Sequence, residues 1–274
     1  MSQLAGRRVV LTGASGGIGA ELAAGLVDAG ARVLLLGRDP AKLEALAATL
    51  GPTAIPLCHD LRDPGAGEPL ADRVGAALGG VDLLIHCAGL GRFGPFDQLD
   101  DGAITALVET NLTGPIRLTR SLLPLLLQSS KPRLVLVGSV LGWLGYPGQA
   151  VYSASKAGLQ RFGEALRREY SDQGLDVLHI APRAARTEFN NPAQRAANRR
   201  LKVAEDAPEA VALAVLHAIV RDRRETVLGF PERLLCRLNQ LLPRVFDRAL
   251  VAHAAVMRDA VRDLADRPPE STGH

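Results

Sequence analysis

The sequence predicts an α/β fold, a doubly wound parallel sheet with helices on both faces, and three observations carry that expectation. Over the first two thirds of the chain, short β-branched and leucine-rich runs alternate with longer helical patterns, as repeated βαβ units require. Runs such as Val135-Leu136-Val137 are apolar at successive positions, which suits strands buried on both faces. A glycine-rich turn follows the first run and opens the first helical pattern. Strands are expected at 8–11, 32–36, 54–57, 82–86, 133–138 and 176–181, and helices near 18–29, 41–50, 66–78, 102–127 and 151–171. Beyond residue 181 come an arginine-rich stretch, a helix at 208–220, a short strand at 226–228 and a leucine-rich tail, and residues 268–274 read as a disordered end.

Composition bounds the function classes. The 274 residues, 47% hydrophobic, can bury the core of one sizeable domain. Cys58, Cys87 and Cys236 are too few and too dispersed for a disulfide framework and suit a reducing compartment. With no export signal in the first residues, the expected location is cytoplasmic. No charged residue occurs from Leu134 to Ser155, but Gly138, Gly142, Gly145, Pro147 and Gly148 interrupt that stretch, so a strand, a loop and a helix start explain it better than a membrane span. A formal net charge of +3 without a long basic tract requires no nucleic-acid partner.

The turn itself reads Thr12-Gly13-Ala14-Ser15-Gly16-Gly17-Ile18-Gly19. Placed between a strand and a helix, it is where a dinucleotide pyrophosphate meets a helix N-terminus, and glycine lets the backbone approach the phosphates. About 20 residues further on, sites for NAD usually carry an acidic residue that bonds the ribose 2′-hydroxyl. Here Gly37 stands at that position and Arg38 follows. A guanidinium can fork onto a 2′-phosphate, so NADP(H) is expected in preference to NAD(H), although Asp39 lies beside it.

Tyr152 and Lys156 stand at i, i+4 near the start of a helical pattern, which puts phenol and ammonium on one face. A lysine charge nearby favours the phenolate of a tyrosine whose ordinary pKa is about 10. Ser139 ends the fifth strand, where its hydroxyl can bond a substrate oxygen. These groups supply a proton donor, a cation and an oxyanion partner. Tyrosine and lysine at this spacing also occur on many exposed helices; their position downstream of the glycine turn separates this pair from those.

With these motifs in order, the chain resembles a classical short-chain dehydrogenase/reductase over roughly its first 230 residues. The family's Thr-Gly-x-x-x-Gly-Ile-Gly turn matches Thr12 to Gly19, and its adenine-contacting Asp after the third strand matches Asp60-Leu61. The Asn-Asn-Ala-Gly segment appears as His86-Cys87-Ala88-Gly89, which keeps Ala88 and Gly89 and loses both asparagines. The tetrad corresponds to Asn111, Ser139, Tyr152 and Lys156. The resemblance implies a Rossmann-type sheet of order 3-2-1-4-5-6-7 in a domain of residues 1–230, and residues 231–274 are then a helical extension packed on it. It also implies that Tyr152 is general acid/base, Lys156 holds the nicotinamide ribose, Ser139 orients the carbonyl, and Asn111 supports a water relay. The family's Pro-Gly after the sixth strand reads Pro182-Arg183, with the nicotinamide-contacting threonine kept as Thr187. Arg183 is expected on the solvent side of a lid, with an anionic substrate group or the cofactor as the other reading.

Cys58-His59 and His86-Cys87 hold zinc-ligand types, but strands three and four of such a sheet lie three spacings apart, roughly 14 Å, too far to share an ion. No metal is expected. The apolar loop Val140 to Tyr146, with Phe93, Phe96 and Phe189 at the same sheet edge, points to an apolar small-molecule substrate. Ketones, aldehydes and 3-oxoacyl groups fit, and an acyl thioester would suit the basic residues Arg195, Arg199, Arg200 and Lys202. In the tail, 231–266, leucines at helical spacing interleave with Arg233, Arg237, Arg244 and Arg248. Packing on the body or on a second subunit is preferred to a membrane surface, because soluble amphipathic helices are commoner. Related enzymes pair through the helices that here carry Asn111 and Tyr152, so a homodimer or homotetramer is expected. The alternative function is a non-catalytic NADP(H)-binding regulatory or scaffold protein of the same fold.

Overall fold

The computed structural model describes residues 2–63 and 69–265. The expected disordered end at 268–274, and the first residues of the helix expected at 66–78, lie outside the described residues.

Seven parallel strands form one sheet in the order β3-β2-β1-β4-β5-β6-β7, as expected. The chain runs β1 (Arg8–Thr12), α1 (Gly17–Asp28), β2 (Arg32–Gly37), α2 (Pro40–Leu50), β3 (Ala54–Cys58), α3 (Leu70–Leu78) and β4 (Leu83–His86). Then follow α4 (Asp101–Val108), α5 (Gly114–Leu127), β5 (Arg133–Val137), α6 (Ala150–Glu169) and β6 (Asp176–Ala181). The rest is α7 (Pro192–Arg200), α8 (Pro208–Val220), β7 (Glu225–Val227), α9 (Phe230–Leu241) and α10 (Pro243–Ala265).

Strand residues alternate between two cores. Val9, Leu11, Val33 and Leu35 point to one face and pack with Leu22, Leu26, Val211, Val215 and Ile219 of α1 and α8. Val10, Leu34 and Leu36 point to the other and meet Val74, Leu118, Leu122 and Leu159 of α3, α5 and α6. Because both faces are covered, polar residues have no exposed side to occupy, which explains the unbroken apolar runs. Strand order reverses between β1 and β4, which stay paired to their last residues, Thr12 and His86, and the crevice lies beyond these C-terminal ends.

Three local features differ from expectation. The helix expected over 102–127 is α4 and α5 joined by a π-turn at Glu109–Thr113, where the Gly114 N–H bonds back to the Glu109 carbonyl. The extra residue turns Asn111 fully inward. Gly114 is needed there, because a Cβ would stand 2.8 Å from the carbonyl oxygens of both Glu109 and Leu61. The helix α7 was not foreseen in the arginine-rich stretch, although Asn191 caps it and Pro192 occupies its first turn. The tail is two helices, since Pro243 lacks the N–H that would continue α9.

The opposite end of the sheet is held by charge. Asp82 accepts from the Arg8 backbone N–H at 2.9 Å, from its guanidinium at 2.8 and 3.0 Å, and from the Ser129 hydroxyl at 2.7 Å. These bonds hold the carboxyl well below its ordinary 3.8, with the Arg8 side chain the largest cause. Asp82→Asn is expected to cost about 1–3 kcal/mol. Because the native carboxyl's pKa is depressed, its stabilisation is full above 3.8 and is lost as pH falls toward the folded-state value. Thermal melts should therefore show the gap between wild type and variant closing below about pH 4.

Candidate active site

The glycine turn is built by close backbone approach. Thr12 Oγ1 accepts the N–H groups of Cys87 and Ala88, both at 3.1 Å, and so ties the end of β1 to the end of β4. Gly13, at φ +67°, lies so near β4 that a Cβ would stand 2.6 Å from the Ala88 Cα. A Cβ on Gly19 would fall 2.0 Å from the Gly13 carbonyl oxygen, so Gly19 packs the helix onto the turn, and Ile18 packs into the core beside it. Gly16 caps α1 without a side-chain acceptor, leaving the helix's positive end to an outside anion. Over this end sits Thr187, whose methyl would be 2.9 Å from a Cβ on Gly17.

At the end of β2, Ser15 approaches Gly37, with its Oγ 3.6 Å from where a Cβ would stand. Arg38 is exposed there. Asp39 is turned away into a capping role, accepting the Lys42 N–H at 3.1 Å. Asp60 binds Arg62 through both carboxylate oxygens, at 3.1 and 2.6 Å, which pulls its pKa down to about 2. Arg38 adds a smaller lowering influence on Asp60. Leu61 is buried, with its carbonyl against Gly114.

Across the crevice, β5, the π-turn and α6 bring the four tetrad residues together, all buried. Ser139, two residues beyond β5, is in extended conformation and accepts the Leu141 N–H at 3.1 Å. Lys156 donates to the Val137 carbonyl at 3.0 Å, and its Nζ lies 5.9 Å from the centre of the Tyr152 ring. Asn111 pairs with Leu90 through both backbone groups, at 2.7 and 2.9 Å, and donates to Ser155 Oγ at 3.1 Å. Gly89 stands between them: a Cβ there would be 3.5 Å from Asn111 Oδ1 and 3.6 Å from Lys156 Nζ.

Burial dominates the electrostatics of the group. It pushes the Tyr152 phenol up to about 12, opposed by a hydrogen bond with Ser139. The Phe189 ring stands edge-on to Tyr152 at 5.7 Å and helps exclude water. The same burial lowers Lys156 to about 8. Buried His86 is pushed down to about 3, its Nε2 2.9 Å from Thr119 Oγ1. Among the described residues no cluster of three or more metal-ligating side chains occurs.

Of the loop aromatics, Phe189 alone meets the tyrosine. Phe93 is buried with Ala193, Ala197, Met257 and Ala260, and Phe96 lies in solvent. Arg183 is neither free on a lid nor aimed at the pocket. It grips Asp206 at 2.9 and 2.6 Å and Glu232 at 3.3 Å, and so ties the loop after β6 to α9. Ser155, the partner of Asn111, escaped the sequence reading although it lies inside the Tyr-to-Lys motif.

A sequence model described as short chain dehydrogenase matches residues 7–198. The chain belongs to the short-chain dehydrogenase/reductase family. It is therefore an oxidoreductase by descent. Among its relatives, dehydrogenase/reductase SDR family member 7B of Bos taurus is 31% identical over 262 residues, which are 90% of this chain and 81% of that protein. The 3-oxoacyl-(acyl-carrier-protein) reductase FabG of Escherichia coli is 32% identical over 184 residues, 67% of this chain and 75% of that one. A short-chain dehydrogenase from Burkholderia cenocepacia, solved in complex with NADP, matches with a TM-score of 0.76 and 25% identity over 90% of this chain and 98% of that one.

The geometry predicts that Gly13→Ala lowers the melting temperature by several degrees, because it adds a strained positive φ to the collision with Ala88. Gly145, with open space around its Cβ position, is the control site, where alanine should change little.

Proposed function

We propose that the protein is an NADP(H)-dependent oxidoreductase that reduces a carbonyl on an apolar substrate, with Tyr152 as proton donor. The observation that carries this reading is the buried group of Ser139, Tyr152, Lys156 and Asn111 facing the uncapped glycine turn across the β1/β4 crevice.

The residues present fit a nicotinamide dinucleotide. The amides at the N-terminus of α1, with Gly13, Ser15, Gly16, Gly17, Ile18 and Gly19, would hold its pyrophosphate. Asp60 and Leu61 would flank the adenine, Ala88 and Gly89 the central ribose region, and Thr187 the carboxamide end, with Tyr152 and Lys156 at the nicotinamide ribose. Preference for NADP(H) over NAD(H) is supported by exposed Arg38 and by Asp39, whose carboxylate is committed to capping α2. When bound, the cofactor supplies a hydride.

The chain's own part is proton management. Ser139 would orient the carbonyl oxygen beside the Tyr152 hydroxyl. A phenol held at about 12 stays protonated at neutral pH and gives up its proton as a more basic alkoxide develops, which favours reduction. Lys156 places positive charge under this exchange, and Asn111, fixed by the π-turn, lies where a relay toward Lys156 would pass. Phe189 and the apolar loop after Ser139 support an apolar substrate: a ketone, an aldehyde or, as the FabG relative's name indicates for that protein, a 3-oxoacyl thioester.

Turnover of a panel of apolar ketones, aldehydes and 3-oxoacyl thioesters, followed by NADPH oxidation, tests the reading. Tyr152→Phe should lower kcat by about 10²-fold or more while leaving NADPH binding intact; full activity in that variant would sink the mechanism. Arg38→Glu should weaken NADPH binding by about tenfold or more and spare NADH. Because burial disfavours the Lys156 ammonium, its charge is present below about pH 8 and lost above, so the reductive rate should fall on the alkaline side of that value.

A further inference from the structure

The tail helices carry an apolar face that the body of the protein does not use. On α9, Cys236 is buried with its Sγ 3.8 Å from the Val140 carbonyl, Asn239 donates to the Trp143 carbonyl at 3.2 Å, and Glu232 engages Arg183. At 100° per residue these three share one face, and the opposite face holds Phe230, Leu234 and Leu241. Phe230 is 78% and Leu241 75% exposed, and the patch continues through Leu242, between the two helices, and Val245 at the start of α10. An ordinary surface helix turns such a face inward.

The charges around the patch identify its occupant. Arg233, Arg237, Arg244 and Arg248 are exposed among these side chains. Of the acids between residues 230 and 251, Glu232 is held by Arg183, and Asp247 is the exposed one. A second copy seated by two-fold symmetry would bring this arginine-rich face against itself, like charge against like. An anionic lipid surface satisfies both parts, taking the apolar side chains into the acyl boundary and the guanidinium groups into the phosphate layer.

We propose that α9 and the start of α10 form a peripheral docking face for an anionic membrane. The face lies one helix away from the candidate site, since α9 rests on the segment that follows Ser139. From there α10 reaches α7, through Met257 and Ala260 against Ala193 and Ala197 and through the Arg200–Asp263 ion pair. Docking therefore bears directly on both segments that border the site. Among the described residues no helix is long and apolar enough to cross a membrane, so the contact is one of surface attachment.

Co-sedimentation of the whole chain with vesicles tests this independently of turnover. The protein should bind phosphatidylcholine vesicles containing phosphatidylglycerol, bind pure phosphatidylcholine much less, and be released by salt. Leu234→Glu with Leu241→Glu should abolish binding. Arg237→Gln with Arg244→Gln should weaken it by about thirtyfold, with unchanged melting temperature in both variants. If the leucine pair impairs folding, the arginine pair alone decides. Absence of binding to phosphatidylglycerol vesicles, or binding that both variants retain, overturns the proposal. So does a wild-type dimer that the leucine substitutions convert to monomer, which would seat a second copy on this face.

Discussion

One hydroxyl organises the centre of the molecule. Thr12 Oγ1 accepts two amides from the turn after β4, and this pair of bonds fixes how far the ends of β1 and β4 stand apart at the point where strand order reverses. Everything on the cofactor side is placed by that spacing. Gly13 can carry no side chain because Ala88 is already there, Gly19 must press against Gly13, and α1 therefore begins with its positive end aimed over the crevice. The opposite end of the same two strands is clamped by Arg8 and Asp82, so β1 and β4 are secured at both ends.

The other wall depends on a different constraint, the extra residue in the π-turn between α4 and α5. It buries Asn111, whose amide then holds Leu90 from both sides and reaches Ser155 on α6. Lys156 follows directly and is held by the Val137 carbonyl, so the sheet, the π-turn and α6 fix the ammonium together. Burial that secures these positions also sets their protonation, raising the phenol and lowering the ammonium.

One departure from the family pattern, His86-Cys87 in place of two asparagines, lies at the end of β4, and another lies in the loop after β6. Where the family has a glycine, Arg183 joins the loop after β6 to α9 through Asp206 and Glu232, and α10 then packs on α7. The tail is thereby part of the site's architecture and not an appendage. A basic residue in the nicotinamide loop reads from sequence as a substrate or solvent group, because its two acidic partners lie 23 and 49 positions further along the chain.

The parallel α/β class, the glycine turn and the Tyr152–Lys156 pair were legible because they rest on local signals: unbroken apolar runs, glycine where backbones approach, and an i, i+4 pair on one helix; strand order and the place of Ser139 came from the family resemblance. The π-turn, the capping role of Asp39, the hold of Arg62 on Asp60 and the cover of Phe189 over Tyr152 were not. The sequence by itself determined the strands, the glycine turn and the shared face of Tyr152 and Lys156, since periodicity and backbone sterics act within a few residues. Only the tertiary structure decided their charge states and the outward apolar face of α9, because burial and long-range ion pairs exist only once distant segments have packed.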